Sequence, residues 1–239
     1  MKPQRKLPRT RSVLRVDEIV RQCRGKSVLN IGMGGWVESQ ELGDRYLTQD
    51  ALQDSVHYRI GQVAARLVGT DILADSLGKM ARLVPGDYVC ADLMAADFAS
   101  HFPEQFDIVV FAEVIEHLDD FRTALANIRA VLKPGGLMVL TTANAFSADR
   151  IAKMLLNYEA NHEEHTSYFS FMTIRRLLEM NRFRIRRFDF HTERPFRSCT
   201  RSRFALYYAM RGLTAVMPQF SEGIFVIAEP VPHVQEFAA

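Results

Sequence analysis

Apolar and polar positions along the chain alternate between short buried-looking runs and stretches of helical period. Ser27-Val28-Leu29-Asn30-Ile31, Leu67 to Ile72, Asp87 to Leu93, Ile108 to Phe111 and Leu137 to Thr142 are brief and apolar, most of them rich in β-branched residues, as strands covered on both faces are. Between them lie predicted helices: Val13 to Cys23, a segment capped by Ser55 with Ile60, Val63, Ala64 and Leu67 on one side, Asp75 to Leu83, and Leu118 to Leu132. Past Asn144 the alternation breaks. Residues 145 to 165 are polar and partly helical, Thr173 to Met180 is a helix, and Phe183 to Phe190 is a strand whose apolar phase slips between Arg186 and Phe188, predicting a bulge. A helix near Arg203 to Val216 and a strand from Ile224 to Ala228 follow. This order predicts an α/β fold: a doubly wound, mostly parallel seven-stranded sheet with helices on both faces. The expected divisions are a basic arm and helix over 1–24, a core over 25–145, a cap segment on the substrate side over 146–180, and C-terminal strands and helix over 181–239 that complete the sheet.

Two junctions carry candidate chemistry. The strand ending at Ile31 runs into Gly32-Met33-Gly34-Gly35, which reads either as the glycine turn that opens a nucleotide site or as a plain turn. From Gly32 to Asp71, the acid ending the second strand, is 39 residues, against about 20 for the usual spacing of glycine loop and ribose-binding acid. An inserted loop over 36–54 is therefore expected at the mouth of the site, carrying the sole tryptophan, Trp36, with His57 just beyond it. It closes over a ligand as a lid, or packs on the surface or a dimer contact. At the second junction, Phe106 to Leu118 changes from strand to helix pattern, and Glu113, Glu116 and His117 stand at i, i+3 and i+4, on one face of an expected helix. The carboxyl end of a parallel strand is where ligands bind in such sheets; a helix-capping carboxylate is the plainer alternative.

Composition bounds the rest. A chain of 239 residues, 48% hydrophobic, buries one large core. Cys23, Cys90 and Cys199 are too far apart in sequence to form a metal-ligand pair, which points to a reducing compartment, the cytoplasm. Neither a signal peptide nor an apolar run of membrane-spanning length is expected. The net charge of +2 conceals a segregation: residues 1 to 26 hold nine Lys or Arg against two acids, and 174 to 211 hold eleven Arg against three acids. Such basic ends suit an anionic substrate, a membrane surface or nucleic acid, or are ordinary solvated surface.

The series Val28 to Gly35, Gly69-Thr70-Asp71, Ala91-Asp92-Leu93, Phe106-Asp107 leading to Glu113-Val114-Ile115-Glu116-His117-Leu118, and Leu132-Lys133-Pro134-Gly135-Gly136 resembles the class I S-adenosylmethionine-dependent methyltransferases, over roughly residues 25 to 190. The resemblance implies that Asn30, Gly32, Met33 and Gly34 pass the methionine part of the cofactor, with Glu113 beside them. It implies that Asp71, next to Ile72, accepts from the ribose hydroxyls, and that Asp92 and Leu93 hold the adenine. Asn30 departs from the Asp or Glu usual there, losing attraction for the cofactor's ammonium group.

An Asn-Pro-Pro-Tyr motif for nucleobase amino groups is absent, and no cysteine stands where a cytosine-attacking nucleophile would. The expected acceptor is therefore a hydroxyl on a small or lipid-linked molecule, such as a sugar or quinone precursor, and the basic ends favour an anionic one. RNA 2′-hydroxyl methylation and a non-catalytic binding scaffold are the alternatives. The central segment is similar to ubiquinone-biosynthesis O-methyltransferases and small-RNA 2′-O-methyltransferases, where Glu-x-x-Glu-His with a later His resembles a divalent-metal site. By that resemblance Glu113, Glu116, His117 and His165 hold Mg²⁺, Mn²⁺, Fe²⁺ or Zn²⁺. Without metal, His165 or His117 acts as general base and Glu113 orients it.

Overall fold

The computed structural model of the chain describes residues 6–33, 55–159, 162–194 and 201–231, with backbone alone for 201–206. Among these, eight strands form one sheet: β1 (Ser12–Leu14), β2 (Ser27–Ile31), β3 (Arg66–Asp71), β4 (Asp87–Cys90), β5 (Phe106–Ala112), β6 (Leu132–Ala143), β7 (Phe183–Thr192) and β8 (Gly223–Pro230). Their spatial order is β1-β7-β8-β6-β5-β2-β3-β4. All neighbours are parallel except β8, which runs against both β6 and β7. The parallel strands, β7 included, therefore end on one edge of the sheet. The helices are α1 (Arg15–Cys23), α2 (Val56–Gly61), α3 (Ala74–Leu83), α4 (Phe121–Val131), α5 (Ala148–Leu155), α6 (Phe171–Met180) and α7 (Arg201–Val216).

Along β5 the side chains divide the core in two. Val109 and Phe111 join Leu29, Leu140, Leu125 and Ile174 on the face covered by α4 and α6, while Ile108 and Val110 meet Val28, Val139, Ile19 and Ile60 under α1 and α2. Each such side chain, fully buried, contributes about 1.5–3 kcal/mol relative to exposure. That two-sided burial explains the unbroken apolar run of β5. Ser55 caps α2, its hydroxyl accepting from Tyr58 N, as its position in the sequence predicts. The slip in β7 falls between Ile185 and Arg187, next to the predicted bulge.

Three expectations need correction. The sheet has one strand more than seven: Ser12 to Leu14, expected as arm and helix, pair parallel with Phe190 to Thr192, and α1 begins only at Arg15. Asp189 Oδ1 accepts from Arg11 N at 2.8 Å and Arg11 O accepts from Phe190 N at 2.9 Å, partners that local periodicity does not see. No helix starts at Glu113 or Leu118. Glu113 has φ 53°, a 3₁₀ turn covers Ile115–His117, and α4 starts at Phe121 because Asp120 caps it by accepting from Thr123 N. Finally, Lys133 to Gly136 lie inside β6 rather than before it, with Gly135 at φ 78° absorbing the register slip against Phe106 and Ile108.

Candidate active site

One half of the site is built by the ends of β2, β3 and β4. Ile31 is registered on Thr70 and Asp71 on Cys90, so Gly32, Asp71 and the loop after Cys90 lie side by side. Gly32 leaves β2 at φ 68°, its N–H donating to Thr70 O at 2.9 Å, and a Cβ on it would sit 2.3 Å from Val114 Cγ2. Met33 is buried behind it. Asp71 is buried, Oδ1 accepting from Leu73 N at 3.1 Å, while the neighbouring Ile72 is 56% exposed. Asp92 Oδ1 accepts from Met94 N at 2.8 Å, and buried Leu93 is tied through its carbonyl to Asn127 Nδ2 at 2.8 Å. A carboxylate, a side-chain-free approach and an exposed aliphatic face together match a nucleoside with a free diol.

Asn30 does not open onto this edge. It is buried, with its amide 3.2 Å from Nδ1 of His57. His57 is likewise a core group rather than a ligand contact: burial pushes its pKa down to about 4, and its ring lies 5.4 Å from that of Tyr88. Gly34, Trp36 and the rest of the 36–54 segment lie outside the described residues.

The other half is built by the ends of β5, β6 and β7. Glu116, in the 3₁₀ turn, accepts from Thr142 Oγ1 at 3.0 Å. Burial, reinforced by the nearby Glu113 carboxylate, raises its pKa above the usual carboxylate range. Burial alone would raise Glu113 too, but the His191 imidazole and the Arg15 guanidinium outweigh it and keep Glu113 ionised. The segment 162–168 docks on the same turn: Thr166 N donates to Glu116 O at 2.8 Å, and Thr166 Oγ1 reaches Glu116 O at 3.1 Å and Leu118 O at 2.8 Å. This docking sets the His165 ring 4.7 Å from that of His117. Ligand atoms of Glu116, His117 and His165 all lie within 4.8 Å of one another. Burial lowers both histidines' pKa values; for His117 the Glu164 carboxylate works against it, and for His165 the neighbouring His117 and His162 add to it. Glu113 stands outside this group and faces His191, Nε2 to Oε1, at 3.4 Å. Of the four candidate ligands the structure thus groups three, and pairs the fourth with a residue that sequence reasoning missed.

A methyltransferase domain family model matches residues 16–187, most of the chain. The chain belongs to this methyltransferase family. Within it, the chain is 30% identical over 139 residues to a ubiquinone biosynthesis O-methyltransferase of Chromobacterium violaceum, covering 55% of this chain and 51% of that protein. It is 36% identical over 84 residues to one of Bradyrhizobium sp. strain ORS 278, covering 35% and 33%. The chain spans about half or less of the length of these relatives. Among solved structures, N-methyltransferase NodS of Bradyrhizobium japonicum with S-adenosyl-L-homocysteine matches at TM-score 0.51 and 16% identity, over 91% of this chain and 86% of that one. The magnesium protoporphyrin IX methyltransferase of Synechocystis PCC 6803, also with bound S-adenosyl-L-homocysteine, matches at TM-score 0.54 and 16% identity, over 91% and 82%. These likenesses show the class I methyltransferase fold.

Beside His165 this methyltransferase has an apolar groove of about 380 Å³, lined among others by Phe146, Arg150, Ile151, Met154, Leu155 and Tyr168. The ring of Tyr168 is 5.8 Å from that of His165 and lies under the Arg150 guanidinium at 5.3 Å. α5 contributes no buried residue, and Met154 and Leu155 are open to solvent. Among the described residues, no helix is long and apolar enough to cross a membrane.

Proposed function

We propose that the protein transfers a methyl group from S-adenosylmethionine to a hydroxyl of a small or lipid-linked acceptor, such as a quinone precursor. The observation that carries this reading is the juxtaposition at one sheet edge of the Gly32, Asp71 and Asp92 half with the Glu116, His117 and His165 half. Family membership, and relatives named for ubiquinone-linked O-methylation, support it. The apolar groove suits the non-reacting body of such an acceptor.

In this reading Asp71 accepts the hydrogen bonds of both ribose hydroxyls, Ile72 and Leu93 flank the adenine, and the backbone turn at Gly32, close against Val114, passes the methionine part. The acceptor oxygen attacks the methyl carbon, the carbon–sulfur bond breaks, and the hydroxyl proton leaves. His165, beside the groove with His117 packed edge-on against it, takes that proton in this reading. Glu116, His117 and His165 also fit a divalent cation, since Glu116 Oε1 and His165 Nδ1 are buried without partners and the donor set mixes oxygen and nitrogen. When bound, such a cation lowers the pKa of an adjoining hydroxyl.

Titration calorimetry with S-adenosylhomocysteine tests the cofactor half: heat of binding and a raised melting temperature are expected, and neither appearing overturns the reading. Methyl-labelled S-adenosylmethionine incubated with a total solvent extract of the host cells tests the transfer. Activity lost on chelation and restored by Mg²⁺ or Mn²⁺ supports the cation. Activity that survives chelation but is lost in His165→Ala assigns the proton to His165.

A further inference from the structure

Behind the candidate active site lies a second group of polar atoms that the scheme above leaves unused. Oε1 of Glu113, Oγ1 of Thr141 and both ring nitrogens of His191 are shut from solvent, and His191 Nε2 approaches Glu113 Oε1 at 3.4 Å, longer than a well-formed hydrogen bond. A buried polar atom whose bond is left unmade costs about 1–3 kcal/mol, so this imidazole and carboxylate are held face to face at a cost to stability.

His191 is delivered there by the sheet itself. β7 is parallel to β6, and the pairing of His191 with Gly223 and of Gly223 with Ala143 sets it one strand away from the end of β6. Val13 of β1 flanks it on the other side. The ring fits only because position 223 has no side chain: a Cβ there would lie 2.1 Å from Nε2. The opposing Glu113 has φ 53°, a left-handed conformation that costs a non-glycine residue about 1–2 kcal/mol. That conformation turns its carboxylate back toward His191, 3.4 Å away. Arg15, paired with Glu193, adds its charge from behind. Backbone strain, a slot cut by a glycine and a buried imidazole facing it thus converge on one carboxylate.

We propose that His191 is a positioning residue of the acceptor site, holding one oxygen of Glu113 so that the other faces the acceptor and accepts a hydrogen bond from its hydroxyl. The inference rests on the O-methyl transfer reading. It gives Glu113 the contact with substrate and gives His191 none.

The experiment compares His191→Leu, His191→Asn, Gly223→Ala, Glu113→Gln and the double variant His191→Leu with Glu113→Gln. Each is measured for melting temperature, S-adenosylhomocysteine affinity, and kcat and KM for label transfer into the accepting fraction of the solvent extract. His191→Leu is expected to lower kcat about a hundredfold, as an ångström-scale misplacement does, with S-adenosylhomocysteine affinity unchanged. His191→Asn, which keeps a side-chain N–H, recovers most of that loss, and Gly223→Ala, which displaces the ring, resembles His191→Leu. In the Glu113→Gln background His191→Leu costs nothing further, because it acts only through Glu113. The inference is overturned if His191→Leu turns over like the wild type, or if its loss adds in full to that of Glu113→Gln. A fall in melting temperature and cofactor affinity that His191→Asn does not relieve also overturns it. A wild-type protein that binds S-adenosylhomocysteine yet transfers no label overturns the O-methyl reading together with it.

Discussion

Gly32 shows how little freedom a single position on the cofactor side has. Its φ of 68° is strained for any side chain, and a methyl group would overlap Val114. Gly32→Ala is therefore expected to lower stability by about 1–3 kcal/mol and to weaken S-adenosylhomocysteine binding at least about tenfold, both readable in one calorimetric series. His57 makes a different prediction, about acid. Its folded pKa is depressed to about 4 by burial, below the unfolded value of about 6.5. The folded state thus binds fewer protons than the unfolded one between these values, so its stabilising effect is complete above pH 6.5 and is lost as pH falls toward 4. His57→Gln should flatten that limb of the melting temperature against pH profile, and an unchanged acid limb refutes the assignment.

At the scale of elements, the loop after β4 depends on a helix that never touches a ligand. Asn127, inside α4, donates through Nδ2 to Leu93 O at 2.8 Å and Ala95 O at 2.7 Å. Asn127→Leu leaves two carbonyls without that donor and is expected to weaken S-adenosylhomocysteine binding about tenfold, a loss of about 1.4 kcal/mol, while α4 still forms. Affinity equal to wild type would show that the loop orders itself. Most elements were legible from local pattern, because a strand such as β5 or a capped helix such as α2 carries its signal within a few residues. The turn at Glu113 was not, since three residues at helical spacing look alike in a helix and in a 3₁₀ turn, and Asp120 as the true cap lies further on. Gly32, Asp71 and Asp92 could be singled out because their order along the chain is itself informative. His191 was missed because an inward-facing residue in an aromatic-rich strand reads as core. The available signal was a histidine at the carboxyl end of a strand parallel to the others.

For the molecule as a whole, five of the eleven arginines in the basic C-terminal segment are tied, among the described residues, into ion pairs within the fold. Arg184 and Arg186 meet Glu229, Arg187 meets Glu18 and Asp189, Arg194 meets Asp17, and Arg175 meets Glu179. These pairs take up part of the cationic stretch, and the site proposed for the acceptor is an apolar groove rather than a basic track. Acceptor binding is thus expected to change little between about 50 and 200 mM salt, where a protein making many phosphate contacts loses about 10³-fold or more; filter binding of labelled RNA against label transfer at the two salts separates the cases. The short strand β1 has a consequence in time rather than in space. Ser12 pairs with Phe190, and Leu14 with Thr192, so Arg15 reaches the acceptor side only after its pairing partners, some 178 residues later, have been made. During synthesis the cofactor half needs Val114 against Gly32 and Asn127 under the loop after β4, and so can close while the partners of β1 are still unmade. An emerging chain would then hold S-adenosylmethionine while still unable to place Glu113, and chemistry would wait for the first strand to be claimed by nearly the last.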